Sequence, residues 1–251
     1  MVERLGGRPY SVPAVRETPL DRPEETARFI DGLCGGRFDI VVFMTGVGAT
    51  ALLREAEKLG KLDAALAALR KATTVCRGPK PVAVLRRHDV QINATAAEPH
   101  TTTELLQSLD AIGVNGRTIA LVHYGERNDT AAGALRQQGA AVDEICLYEW
   151  RLPDDVAPLE RLVGEVIDGK IDAVAVTSQI QIRHVFQIAD SLGKSQALAD
   201  ALSRNVVVAA VGPVCASALR SYGVVPHVQP SHPKMGPMLI ALADYFELTG
   251  R

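Results

Sequence analysis

A chain of 251 residues is long enough for two domains of ordinary size. Its composition, 47% hydrophobic and 22% charged with only 4% aromatic, is that of a globular protein whose cores are built from Val, Leu, Ile and Ala. A net charge of −2 gives no electrostatic reason to expect nucleic acid or an anionic membrane, and no segment has the apolar length that spans a bilayer.

In chain order, a strand is predicted over 8–15, then a proline-bearing crossover that leads into an acidic helix start at PEE. The run DIVVFM predicts a strand over 40–44. Helices over 46–59 and 63–71, a strand over 73–76 and a helix over 79–86 follow. Next come a helix over 102–109, a strand over 119–122, a helix over 130–138 and a strand over 142–147. A second proline-bearing crossover, ICLYEWRLPDD, closes this half. The remainder predicts a helix over 158–168, a strand over 173–177, helices over 179–192 and 194–202, a strand over 207–211, a helix over 213–222, a strand over 227–229 and a helix over 235–247. Several strands are apolar without interruption, as parallel strands covered on both faces are. Strand–helix alternation predicts α/β architecture with doubly wound parallel sheets.

The chain nearly repeats itself at a stagger of about 133 residues, the distance from Gly6 to Gly139. FDIVVFMTGVGATAL stands over IDAVAVTSQIQIRHV, so that Thr45 meets Ser178. CRGPKPVAVL stands over AVGPVCASAL, with Gly78 over Gly212. Pro19 meets Pro153. Two copies of one α/β unit are expected, with a ligand crevice between them. The two crossovers occupy matching places and serve as an extended two-segment hinge, 12–21 and 145–153. One domain is then 22–148 and the other combines 1–18 with 153–251. The first copy begins late: VERL stands where the second copy has a whole strand and most of a helix.

Chemistry is expected at the strand ends. Thr45 with Gly46, and Thr177, Ser178 and Gln179, each end a strand and open a helix. Gly78 and Gly212 do the same, each followed by proline in the first helical turn. Free amides and hydroxyls at such places seat anions, although capping alone also explains Thr45 and Ser178. Arg77, Lys80, Arg127, Arg183 and Lys234 are basic residues near those ends. Tyr148, in the second crossover, can donate or accept a hydrogen bond and serve as a general acid; packing beside Trp150 is the plainer alternative. TGVGATA matches a dinucleotide-binding pattern, but the next strand region, ALRKATTVC, lacks the acidic residue that pattern needs. Cys34, Cys76, Cys146 and Cys215 are scattered, and the six histidines show no metal-ligand spacing. Reduced thiols, a cytoplasmic setting and cofactor-free chemistry are expected.

These pieces carry a resemblance to the uroporphyrinogen-III synthase family. Its strand end (F/V)-T-S-x-x-x-V is matched by FMTGVGA and VTSQIQI, and its G-P-x-T-A-x-x-L helix start by RGPKPVAVL and VGPVCASAL. Its crossover tyrosine is matched by Tyr148 and its late P-T-x-x-x-L by HPKMGPM. Pro81, Cys215 and Lys234 stand where the family carries threonine. The resemblance implies a lyase of porphyrin and haem biosynthesis. It would act as a monomer without metal, cofactor, nucleic acid or membrane. Hydroxymethylbilane would lose its terminal hydroxyl as water, close into a ring and have its last pyrrole inverted through a spiro intermediate. Tyr148 would help the hydroxyl leave. Thr45, Gly46, Arg77, Gly78, Thr177, Ser178, Gln179, Gly212 and Lys234 would bind the substrate. The alternative is a non-catalytic module of the same fold that senses a tetrapyrrole or another anion.

Overall fold

The apolar runs at 119–122 and 40–43 lie side by side at the heart of a parallel sheet, because uninterrupted apolar strands must be covered on both faces. The structure, a computed structural model, describes residues 1–123 and 125–250. Its elements are β1 (Arg16–Pro19), α1 (Pro23–Cys34), β2 (Ile40–Phe43), α2 (Gly46–Lys58), α3 (Leu62–Lys71), β3 (Thr73–Cys76), α4 (Pro79–Arg86), β4 (Ala94–Thr95), α5 (Thr102–Ile112), β5 (Thr118–Val122), α6 (Asp129–Gln137), β6 (Ala141–Ile145) and β7 (Tyr148–Arg151). They continue with α7 (Ala157–Ile167), β8 (Ala173–Val176), α8 (Gln179–Ser191), α9 (Ser195–Arg204), β9 (Val207–Ala210), α10 (Pro213–Ser221) and α11 (Met235–Thr249). The chain divides into two compact units, Glu17–Trp150 and Met1–Arg16 with Arg151–Arg251. No helix among the described residues is long and apolar enough to cross a membrane.

The Glu17–Trp150 unit is a doubly wound sheet of order β4-β3-β2-β5-β6, all parallel. Alternation along β2 divides its core. Val41 and Phe43 face Phe29, Ile30 and Leu33 of α1, Leu52 of α2 and Leu69 of α3. Ile40 and Val42 face Leu105 and Leu109 of α5 and Leu135 of α6. Each of these side chains is more than nine-tenths buried, and each large one stabilises the fold by about 1.5–3 kcal/mol.

The other unit uses the same plan on a smaller sheet. β8 and β9 run parallel, and Ala209 of β9 forms one bridge to Val228. Val163 of α7, Ile182 and Phe186 of α8, Leu202 of α9 and Leu219 of α10 cover one face. α11 covers part of the other, where Met238 meets Val207, Ala209 and Val228. The predicted strand over 227–229 is therefore a single bridge. The predicted strand over 8–15 is irregular chain, tied down where His184 bonds the Ala14 carbonyl at 2.6 Å. A strand needs a neighbouring strand, and among the described residues none pairs with this segment. The two crossovers are short strands: β1 and β7 pair with each other, and the Leu20 N–H donates to the Leu147 carbonyl at 3.0 Å.

Candidate active site

In the Glu17–Trp150 unit, β2 ends at Thr45 with extended backbone (φ −146°, ψ 159°), and α2 begins at once. Thr45 Oγ1 accepts the Gly48 N–H at 3.0 Å, which caps the helix. The same oxygen lies 2.9 Å from Tyr148 Oη at the start of β7. Tyr148 is only 4% exposed, its ring set edge-on to Trp150 at 6.3 Å. The Cys146 thiol donates to its backbone carbonyl at 3.1 Å. Burial pushes the Tyr148 phenol up to about 12; the bond with Thr45 and the charge of Arg77 pull the other way, and Glu17 adds to the rise. The phenol is therefore protonated throughout the neutral range, as a proton donor must be.

The two glycines of the TGVGATA run serve packing. A Cβ on Gly46 would meet the Lys80 backbone at 3.2 Å, so the first turns of α2 and α4 touch. A Cβ on Gly48 would come within 2.9 Å of the His123 carbonyl oxygen, so α2 rests on the end of β5. This close approach accounts for the glycines without a nucleotide. Gly78 is the buried N-cap of α4, Pro79 opens that helix, and the imidazole of His100 stands against Gly78. The Arg77 N–H donates to the Phe43 carbonyl at 3.0 Å, which brings Arg77 to the same sheet end as Thr45. Among the other basic candidates, Lys80 is exposed and Arg127 pairs with Glu25 at 3.4 Å.

The other unit repeats the arrangement at the ends of β8 and β9. Ser178 is the N-cap of α8, and Gln181 reaches back so that its Oε1 accepts the Thr177 N–H at 2.9 Å and the Ser178 N–H at 3.1 Å. Gln179 and Arg183 line a depression of about 340 Å³ with Val214, Ser217 and Tyr222. Gly212 caps α10, and a Cβ there would strike Pro233 at 2.9 Å. Lys234, exposed, is the N-cap of α11. Thr45, Gly46, Arg77, Gly78 and Tyr148 thus gather in one unit, and Thr177, Ser178, Gln179, Gly212 and Lys234 in the other. Pro81 and Cys215 are buried, Cys215 in the core of its unit.

Two features escaped the sequence reading. Thr101, which caps α5 and exchanges hydrogen bonds with Glu104, is the counterpart of Lys234 at the 133-residue stagger. Applying the stagger to Lys234 would have found it. The second is His123, fully buried at the end of β5. Its Nδ1 accepts the Asn128 N–H at 3.2 Å, so the proton sits on Nε2 and is donated to Glu144 at 2.8 Å. Arg136 holds the other Glu144 oxygen at 2.6 Å. Asn128 in turn caps α6 through Ala131 and donates to Thr102. The network ties His123, at the end of β5, to Asn128, at the start of α6, beside the Gly48 contact. Burial lowers the His123 pKa against the pull of Glu144. Burial works against ionised Glu144 as well, yet the bonds from Arg136 and His123 hold its carboxyl below the usual range.

Residues 1–240 match the model of uroporphyrinogen-III synthase HemD. The chain belongs to the uroporphyrinogen-III synthase family. It is 31% identical over 247 residues to the uncharacterised protein YjjA of Bacillus subtilis, covering 98% of this chain and 90% of that one. Among solved structures it is similar to uroporphyrinogen III synthase from the extreme thermophile Thermus thermophilus. One crystal form, of a selenomethionine variant, gives a TM-score of 0.74 at 27% identity, with 100% of this chain and 93% of that chain covered. The wild-type form gives 0.58 at 28% identity with the same coverage. A synthase-family fold accounts for the duplicated α/β units.

Proposed function

We propose that this chain closes hydroxymethylbilane, a linear tetrapyrrole rich in carboxylates, into uroporphyrinogen III with loss of water and inversion of the last pyrrole. The reading rests on the family and on one observation, the hydrogen bond between buried Tyr148 and Thr45. Thr45 Oγ1 already accepts from Gly48, so its own hydrogen is available to Tyr148 Oη. The phenol hydrogen is then free to pass to the substrate hydroxyl. As the carbon–oxygen bond breaks, water leaves and the pyrrole keeps the positive charge. Tyr148 Oη keeps the electron pair of its O–H bond, steadied by Thr45 and by the charge of Arg77. A carbon of the last pyrrole attacks the cationic carbon, and the spiro intermediate rearranges. The proton lost on ring closure returns to Tyr148.

The carboxylates are assigned to the helix starts. The helix starts at Gly46, Gly78, Gln179 and Gly212 carry the positive ends of their helix dipoles, which favour anions. Thr177 and Ser178 supply hydroxyls, and Arg77 and Lys234 supply charge. The working form proposed is a cytoplasmic monomer using no metal or cofactor. The variant Tyr148→Phe tests the assignment. Turnover of hydroxymethylbilane should fall about 100-fold or more, with affinity for uroporphyrin III held within about threefold, since the phenol acts in the transition state. Undiminished turnover removes Tyr148 from the mechanism.

A further inference from the structure

The chain's only tryptophan, Trp150, stands two residues beyond Tyr148 on β7. Alternate residues of a strand share one face, so the indole lies on the side of the crossover that carries the phenol. Its ring is half-buried and set edge-on to Tyr148, with centroids 6.3 Å apart. Gly125, between β5 and α6, fixes its attitude. That glycine has φ +45°, and a Cβ on it would run into Cδ2 of the indole and come within 2.7 Å of Cε2 and 2.9 Å of Cε3. Cδ2 is bonded to ring atoms on every side, so it can be approached this closely only over the face. The Gly125 backbone thus seats one face of the indole, and a ring held at Tyr148 meets the other.

Loss of the hydroxyl leaves a positive charge on the pyrrole that carried it, at a site where the charge of Arg77 already acts on Tyr148. Arg77 steadies the ionised phenol but repels the new cation. A carboxylate would offset that repulsion, yet it would also repel a substrate rich in carboxylates. Glu17 is a carboxylate within range of Tyr148, but it is exposed, and solvent screens it. An aromatic face attracts a cation and carries no net charge to repel the carboxylates. The carbon that loses the hydroxyl sits within roughly 4 Å of Tyr148 Oη, one hydrogen bond and one C–O bond away. A pyrrole on that carbon can reach the range, roughly 6 Å from a ring centroid, over which cations are drawn to an indole face.

We infer that Trp150 is a catalytic residue whose indole face meets the pyrrole that loses the hydroxyl and stabilises the positive charge left on it. The inference rests on the proposed ring closure and adds a residue to it. Trp150 forms no bond and gives up no proton. Tyr148 supplies the proton, the electron pair of the C–O bond leaves with the water, and the indole attracts the cation until a carbon of the last pyrrole attacks. Tryptophan is the side chain that does this best, because its ring face attracts cations more strongly than that of tyrosine or phenylalanine.

A single tryptophan makes the test specific. Biosynthetic replacement of tryptophan by its mono-, di- and trifluorinated forms alters Trp150 alone. Each fluorine nearly keeps the ring's shape but draws electron density from its face. The quantity read is the single-turnover rate of isomer III formation from hydroxymethylbilane with the chain in excess, which separates chemistry from product release. That rate should fall about 2-fold with each fluorine, so that its logarithm falls linearly along the series, with Tm and the affinity for uroporphyrin III unchanged. Trp150→Leu should lower it at least ~10-fold, and Trp150→Phe by less. Isomer III formed at one rate throughout the fluorinated series overturns the inference alone. So does a rate that falls only as Tm falls, the mark of a packing role. Failure of the unfluorinated chain to form isomer III overturns the proposed ring closure, and this inference with it.

Discussion

Tyr148 Oη and Thr45 Oγ1 lie 2.9 Å apart across 103 residues of sequence. The contact joins the crossover strand to the carboxyl end of the central sheet. Thr45 thereby holds α2 and orients the phenol at once. Thr45→Val should lower stability by about 1 kcal/mol through the lost cap. It should also slow turnover roughly tenfold through the lost bond to Tyr148. Thr45→Ser keeps both functions and should restore both, read as Tm and kcat on the same preparations.

Alkaline stability reports on Tyr148. Its folded pKa of about 12 lies above the ordinary tyrosine value of 10.0. The folded state therefore favours the protonated phenol. Stability is fully present below pH ~10 and is lost as pH rises from there through ~12, by on the order of 2 kcal/mol for this group. The difference in unfolding free energy between the chain and Tyr148→Phe, followed from pH 8 to 12, should shrink across that window. A difference that stays constant would contradict the burial of the phenol.

His123 sets the acid side. Burial lowers its pKa, so the folded state favours neutral imidazole. Its contribution is present above the unfolded value of ~6.5 and fades as pH falls below it. Protonation at Nδ1 would turn the acceptor of the Asn128 N–H into a donor and release the α6 cap. Thermal unfolding from pH 7.5 to 5 should show this loss. The slope should be shallower in His123→Gln, at a cost in stability at pH 7.5.

Gly48→Ala tests the close approach of α2 to β5. Alanine favours a helix over glycine by about 1 kcal/mol. Here its methyl would stand 2.9 Å from the His123 carbonyl, a backbone atom. Overpacking of this kind costs about 1–3 kcal/mol. Net destabilisation is expected in chemical unfolding, together with slower turnover from a displaced Thr45. Gain of stability would mean that the helix can move away freely.

The elements most legible in the sequence were those whose causes are local. The run IVVF and the dipeptide Gly-Pro at 78–79 marked β2 and the start of α4, and the helix over 79–86 has the bounds of α4. Features that depend on distant partners were not legible. β4 is two residues long and exists only by pairing with β3. β1 and β7 are strands only because they pair with each other. His123 and Glu144 meet because β5 and β6 run in parallel with Val122 opposite Ile145, which no local pattern announces. At the site, the repeat pointed to Thr45 and Ser178, and it also reaches Thr101 once the stagger is applied to Lys234, although the two side chains differ in chemistry. The segment over 8–15 has the composition of a strand, and its counterpart β6 is one. β6 pairs with β5, and no β5 counterpart flanks 8–15 among the described residues.

The most direct test of the central claim is the isomer composition of the product. The chain is given fresh hydroxymethylbilane, the products are oxidised, and the uroporphyrin isomers are separated by chromatography. The account predicts an excess of isomer III over the isomer I that forms spontaneously, and loss of that excess in Tyr148→Phe. Isomer I alone from the unaltered chain would contradict it and leave a tetrapyrrole-binding module without the ring-inverting chemistry.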